Sequence, residues 1–208
     1  PGGSVLDRLL PQKLSSHITS LISEKGVKTV SESRVNGIVH DAETDNVNIV
    51  LANGSSVDGF DHVVLALGTE PRVEIAVNSG FEIDGEIGGI VTNSELQVVS
   101  GVYAAGDVAS FYDPVLQLRR RVTSVDQASL SGGCAGASLA GQETFQFKAI
   151  PVHYGTFMGL GIKWEGVGLI DSSLDTIAVW KGDDYDAGVI YYLNQSEKIV
   201  GILTMNLA

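Results

Sequence analysis

Two short apolar runs that each close on a glycine set the tightest limit on what this chain can fold into. Val63–Leu67 is continuously apolar and ends in Gly68, and Val102–Ala105 ends in Gly106-Asp107. A strand that is apolar on both sides is covered on both faces, the condition of a parallel sheet between helical layers. Such sheets open onto ligands at the carboxyl ends of their strands. The two glycine ends therefore predict an α/β fold with two nucleotide sites. Between them Phe81–Val91, FEIDGEIGGIV, reads as a turn-rich excursion with a short strand leading to Thr92.

The flanking sequence fits this frame. Leu14, Ile18, Leu21 and Ile22 recur at helical spacing, with Pro11 suited to a first turn and Gly26 to a stop, so residues 11–25 read as an amphipathic helix. Val27–Val30, Arg34–His40, Val47–Leu51 and Ser56–Phe60 are β-branched runs separated by turn chemistry at Asp41–Asn46 and Asn53-Gly54, a predicted meander. From Asp126 to Ala140 small residues recur every fourth position: Ala128, Gly132, Gly136 and Ala140. Each glycine costs a helix roughly 0.5–1 kcal/mol relative to alanine, so a helix here implies a backbone packed close against that face. Past Gly141 the texture changes. Thr176–Trp180, Val189–Leu193 and Lys198–Met205 predict three strands of a separate antiparallel sheet, with Gly182–Asp186 as an acidic loop.

Composition excludes several classes of function. The 208 residues are 44% hydrophobic, enough for a packed core. A net charge of −12 removes the counterion-release attraction behind nucleic-acid affinity, so nucleic acid is not an expected partner. Cys134 is the single cysteine, which excludes an intrachain disulfide or a Cys-x-x-Cys pair and leaves any redox chemistry to a bound cofactor. No apolar run reaches the roughly 18 residues of a membrane span. His17, His40, His62 and His153 show no metal-ligand spacing, and Asp183, Asp184 and Asp186 lack an organised ligand loop, so no metal is expected. Arg119-Arg120-Arg121 reads either as an anion-binding patch or as a solvated basic turn.

Asp107 can accept hydrogen bonds from the hydroxyls of a sugar-like chain, with Gly106 letting the backbone come close; it can equally cap the following segment. The residues alone leave both readings open. The stretch Thr92–Asp107, TNSELQVVSGVYAAGD, and LALGTEP at 65–71 resemble the second FAD fingerprint and the Gly-x-x-Pro strand end of the pyridine-nucleotide disulfide reductase superfamily. Within it, residues 101–122, 167–180 and 187–206 resemble the apoptosis-inducing-factor family, and the likeness runs along essentially the whole chain.

That resemblance implies a FAD-dependent NADH oxidoreductase of the mitochondrial intermembrane space, with a role in respiratory-chain biogenesis and a death-signalling role after release to the nucleus. It implies homodimerisation on NADH reduction and mitochondrial protein partners. It assigns Gly106 and Asp107 to FAD, the amides of Ser124 and Val125 to the flavin's pyrimidine edge, Tyr154 to an aromatic contact with the flavin, and Gly68 and Glu165 to the nicotinamide nucleotide. A helix N-terminus at Ser124–Val125 favours an anionic reduced flavin. The family's Glu-His-His is here Thr123-Ser124-Val125, which removes an imidazole and a carboxylate from the nicotinamide side.

Neither Gly-x-Gly-x-x-Gly turn that such enzymes need is present, so the chain is expected to be a carboxyl-terminal portion of a larger enzyme. Its expected parts are residues 1–69 from an NADH-binding domain, 70–145 from a FAD-binding Rossmann-like domain, and 146–208 as an α+β carboxyl-terminal domain. On its own it is expected to be inactive. Two other readings use the same motifs: a flavoenzyme related to ferredoxin reductase or monodehydroascorbate reductase, and a redox-gated interaction module with little catalysis.

Overall fold

The computed structural model of the chain describes residues 3–141, 146–148, 150–182 and 185–207. The chain is α/β, with three α-helices and thirteen strands among these residues, and it divides into two compact units. One comprises residues 1–67, 155–164 and 170–208; the other comprises 68–154 and 165–169. Asp183 and Asp184 of the expected acidic loop lie outside the described residues.

In the first unit helix α1, Gln12–Glu24, buries Leu14, Ser15 and Ile18. It is followed by an antiparallel meander of β1 (Val35–Asp41), β2 (Asn46–Leu51) and β3 (Ser56–Phe60). Two expected strands are absent. Val27–Val30 and Val63–Leu67 pair with no strand, and Val64 and Leu67 are 90% and 81% exposed. An apolar run becomes a strand only when a neighbour supplies its hydrogen bonds, and among the described residues none does.

The remaining sheet has the order β11-β12-β13-β10-β9, built from β9 (Val152–Phe157), β10 (Ile162–Gly168), β11 (Asp175–Lys181), β12 (Ala187–Leu193) and β13 (Ile199–Met205). The last three match the apolar runs expected from sequence. Sequence periodicity misses β9 and β10, because glycines and charged residues interrupt their alternation. In β12 every second residue faces inward, so Ile190 and Tyr192 join Leu203 and Met205 of β13 and Leu10, Leu14 and Ile18 in one core. Tyr192 donates its buried hydroxyl to the Leu9 carbonyl at 2.7 Å. Burial pushes its phenol pKa well up, so the group stays a neutral donor that ties the segment before α1 to the sheet.

Two tryptophans lie against cross-strand glycines in this sheet. Trp180 of β11 is opposite Gly188 of β12. A Cβ on Gly188 would sit 2.4 Å from the Trp180 ring and 2.6 Å from the Val179 carbonyl oxygen. A Cβ on Gly155 of β9 would sit 2.6 Å from the Trp164 indole. Trp180 also packs edge to face with Tyr185, centroids 5.1 Å apart. Here glycine is required for space.

The second unit contains α2 (Glu74–Asn78), the short strands β4 (Ile90–Val91), β5 (Gln97–Val99), β6 (Val102–Tyr103), β7 (Ala109–Asp113) and β8 (Leu118–Arg120), and helix α3 (Val125–Leu139). β4 pairs with β7 in parallel, whereas β7–β8 and β5–β6 are antiparallel. Leu96, Phe111, Ala135 and Phe147 form its core, with Phe111 and Phe147 edge to face at 5.2 Å. Against expectation, Gly132 and Gly136 of α3 have nothing within 4 Å of a Cβ position. Close approach occurs one turn earlier, at Ala128, and the side chains of Ser131 and Ala135 face inward in place of the glycines.

These environments order the glycines by tolerance. Gly188→Ala and Gly155→Ala are each expected to lower unfolding stability by about 1–3 kcal/mol through overpacking. Gly132→Ala is expected to be neutral or stabilising by about 0.5–1 kcal/mol. Urea denaturation of the three variants followed by circular dichroism checks the order; equal stability of all three contradicts it.

Candidate functional site

Strand β6 runs through Ala104 and Ala105 into a 3-10 turn, Gly106–Val108, where Asp107 sits. Gly106 has φ +75°, a left-handed conformation that favours glycine. Its N–H donates to Ser131 Oγ at 2.9 Å, and Ser131 in turn donates to the Gln127 carbonyl at 2.6 Å. The turn is thereby fixed to the inner face of α3, with Ala128 3.6 Å from the Gly106 Cβ position.

Asp107 is divided between two roles. Its carbonyl accepts from Arg121 Nη1 at 3.3 Å, whereas its exposed carboxylate has no hydrogen bond or ion pair among the described residues. The backbone is held and the acid is left available.

The three consecutive arginines brace this region from within. Arg119 donates to the Ser110 carbonyl at 2.6 Å and to the Thr92 carbonyl at 3.0 Å. Arg121 Nε donates to the Ile87 carbonyl at 3.0 Å. Arg120 forms a buried ion pair with Asp113, and its guanidinium carbon lies 5.2 Å from the Phe111 ring centroid. Burial lowers the Arg120 pKa, an effect that Asp113 opposes. Neither the anion-binding patch nor the solvated basic turn expected from sequence is found: the side chains turn inward to backbone carbonyls and to a buried carboxylate.

The excursion before β4 completes the brace. Asp84 accepts from the Glu86 and Ile87 amides at 3.0 and 3.1 Å and from Ser110 Oγ at 2.8 Å. The Ile87 amide, the Ser110 hydroxyl and the Glu86 amide hold its pKa below the ordinary carboxylate value. Gly89, at φ +96°, passes so close beneath the turn that a Cβ would lie 2.7 Å from the Val108 carbonyl oxygen and 3.0 Å from Arg121 Cδ. Thr92, 2% exposed, gives its N–H to the Ser110 carbonyl at 2.8 Å.

Helix α3 begins beside the turn. Ser124 caps it, its Oγ accepting from the Gln127 amide at 3.2 Å, and Val125 follows at 78% exposure. The first turns border a groove of about 370 Å³ lined by Ser124, Asp126, Gln127, Leu130, Ile150 and Val152. Gln127 is 3% exposed, and its Nε2 has no partner among the described residues.

Gly106, Asp107, Ser124 and Val125 therefore gather at one end of α3. The other residues singled out from sequence lie on other elements of the same unit. Gly68 is exposed at φ +90° in the segment before α2, Tyr154 is 68% exposed on β9, and Glu165 is exposed on β10. Sequence reasoning missed Asp84, Gly89, Ser131 and Gln127. Asp84-Gly85 carried a turn signal; the other three act through tertiary contacts that no local pattern encodes.

Near the Arg120–Asp113 pair, His153 is half-buried. Its burial lowers the imidazole pKa below 6.5, the Arg120 charge acts in the same direction, and the Gly168 backbone hydrogen bond opposes both. The folded state thus disfavours the proton. This stability contribution is present above pH 6.5 and is lost as pH falls from there through the folded pKa. His153→Gln is expected to flatten the decline in unfolding stability between about pH 7 and about pH 5.5, as read by urea denaturation at each pH.

The Gly106-Asp107 turn thus ends a strand and packs beside α3 in an α/β chain. Residues 3–132 match the sequence model of the pyridine nucleotide-disulphide oxidoreductase family, and the chain belongs to that family. It is 34% identical over 210 residues to apoptosis-inducing factor 1, mitochondrial, of Dictyostelium discoideum, across 98% of this chain and 39% of that protein. It is 28% identical to the chloroplastic/mitochondrial monodehydroascorbate reductase of Arabidopsis thaliana, across 74% of this chain and 31% of that one. A crystal structure of a ferredoxin reductase from Rhodopseudomonas palustris superposes with TM-score 0.82 at 25% identity, covering 99% of this chain and 48% of that one. The chain thus spans less than half the length of each.

Proposed function

We propose that this chain supplies the ribityl and isoalloxazine side of a FAD site, and part of an NADH site, in a FAD-dependent NADH oxidoreductase related to apoptosis-inducing factor. The observation that carries the reading is Asp107: a backbone held by Arg121 and Ser131 presents an exposed carboxylate with no partner among the described residues. A ribityl chain offers the hydroxyl donors such a carboxylate accepts. When bound, FAD supplies two-electron redox chemistry that no side chain of this family member provides.

Each residue then has a part to play. Gly106 gives the close approach, and Asp107 accepts from the cofactor. The Ser124 and Val125 amides direct the positive end of α3 at the flavin's pyrimidine edge, stabilising negative charge there. Tyr154 lies against the flavin, with Gly68 and Glu165 on the nicotinamide side. Residues 1–69, 70–145 and 146–208 belong to the NADH-binding, FAD-binding and carboxyl-terminal domains of the whole enzyme, whose amino-terminal part supplies the pyrophosphate-binding turns absent here. The name of the Dictyostelium relative supports residence in the mitochondrion. The resemblance in sequence extends that to the intermembrane space, to respiratory biogenesis and release to the nucleus, to mitochondrial protein partners and to dimerisation on NADH reduction.

A second reading, a ferredoxin-reductase or monodehydroascorbate-reductase type of flavoenzyme, is favoured by the Rhodopseudomonas and Arabidopsis similarities. The acceptor separates them: rapid NADH turnover with a one-electron protein acceptor supports the second. Failure of NADH to reduce a bound flavin at all supports a redox-gated interaction module.

The isolated 208-residue chain is expected to purify without stoichiometric flavin and to show no NADH oxidation. In the full-length enzyme Asp107→Ala is expected to weaken FAD retention at least tenfold, which corresponds to loss of a charge-assisted hydrogen bond of about 1.5–3 kcal/mol. Gly89→Ala, which disturbs Arg121 and the Val108 carbonyl without touching the carboxylate, is expected to weaken retention to a lesser degree and to lower stability. Flavin absorbance after gel filtration measures both; wild-type flavin content in Asp107→Ala contradicts the assignment.

A further inference from the structure

Among the described residues no strand pairs with the outer side of the five-stranded sheet's first strand. β11 is the first strand in the sheet order, so one of its sides offers unpaired N–H and C=O groups. All seven of its residues, DTIAVWK, are in unbroken register with β12, from Asp175 opposite Leu193 to Lys181 opposite Ala187. Natural edges are blunted by proline, bulges, or charged side chains in the middle of the strand. β11 has none of these. Its charges stand only at the two ends, and its exposed outer side chains between them, Ile177 and Val179, are 56% and 62% exposed.

The sequence of this edge is complementary to itself. When two copies of β11 pair antiparallel about Ala178, Asp175 of each lies opposite Lys181 of the other, and Ile177 opposite Val179. In an antiparallel pair directly opposed side chains share one face. All four odd-numbered residues therefore fall on the outer face as two ionic and two aliphatic pairs, with Thr176 opposite Trp180 on the inner face. Neither Asp175 nor Lys181 has an ion-pair partner among the described residues. A two-fold symmetric contact has to be self-complementary, and this pattern is.

We propose that β11 is a self-association edge through which two copies of this chain join their five-stranded sheets into one continuous sheet. Main-chain hydrogen bonds hold the pair, and the Asp175–Lys181 contacts fix its register and exclude parallel pairing, which would set like charges side by side. The contact requires neither flavin nor nicotinamide nucleotide, so it is separate from dimerisation driven by NADH and stands or falls independently of the cofactor assignment.

Sedimentation velocity of the 208-residue chain at about 0.15 M salt, from about 1 to about 300 µM, is the test. Self-association at the upper end, seen as a concentration-dependent rise in sedimentation coefficient toward a dimer, is expected. Asp175→Lys and Lys181→Asp, each placing like charges opposite one another, are expected to weaken association at least fivefold, and the double charge swap to restore it. Because both residues are exposed strand ends, circular dichroism spectra are expected to be unchanged. A monomer at every concentration, association indifferent to the single changes, or a double swap that fails to restore what the singles remove overturns the proposal.

Discussion

Most of the candidate site depends on where three consecutive arginine side chains go. A guanidinium carries five donors in a fixed plane, so one side chain can bind two carbonyls on different strands. Arg119 joins Thr92 to Ser110, and Arg121 joins Ile87 to Asp107. Arg120 is buried against Asp113, where the loss of either charge would leave the other uncompensated. The second unit has short strands, several of only two or three residues. Pairing alone cannot fix loops between such elements, and the arginine donors supply what a longer ladder would elsewhere.

Opposite constraints shape the five-stranded sheet. There the ladders are long and the side chains alternate regularly, so precision comes from packing. The clearest cases are Trp180 against Gly188 and Trp164 against Gly155, where the indole occupies the space of a missing Cβ. A glycine in a strand is unfavourable by itself, having more backbone freedom to lose and no side chain to bury. The facing indole compensates by shielding the bare backbone and adding buried area. The inner face is therefore committed to α1 and the two rings, while the outer edge at β11 carries no comparable protection.

How much of this was legible in the sequence follows from the range of each interaction. Helices α1 and α3 and strands β11 to β13 were readable because periodicity and flanking glycines are local signals. Val63–Leu67 was misread for the same reason: local apolarity states what a strand would need to bury, and only a neighbour makes it a strand. The glycines of α3 implied a close contact that exists at Ala128 instead, because the period of small residues does not say which side of the helix faces inward. Asp107 was legible as a carboxylate after a glycine, but not its division into a tethered carbonyl and an available acid. That division depends on Arg121, fourteen residues away, and on Gly89, whose role requires knowing that Val108 lies above it.

Committing the arginines to structure changes the electrostatics of the proposed flavin site. The chain is strongly acidic, −12 overall, and the carboxylate of Asp107 adds a negative charge where reduction would add another. The nearest cluster of cations in sequence is committed elsewhere: Arg119 and Arg121 are directed at carbonyls and Arg120 at Asp113. The start of α3 lies beside this turn and is equivalent to about half a positive charge in its free N–H groups, with Asp126 in its first turn. Ser124 is well suited to that task, because its hydroxyl accepts the Gln127 amide and leaves the earlier amides open. A fixed backbone dipole also needs no rearrangement as charge develops, whereas a long cationic side chain would have to be held in place. The serine at the cap and the inward-turned arginines are thus two parts of one arrangement: the side-chain cations build the turn, and the helix start is left open to the flavin of the proposed site.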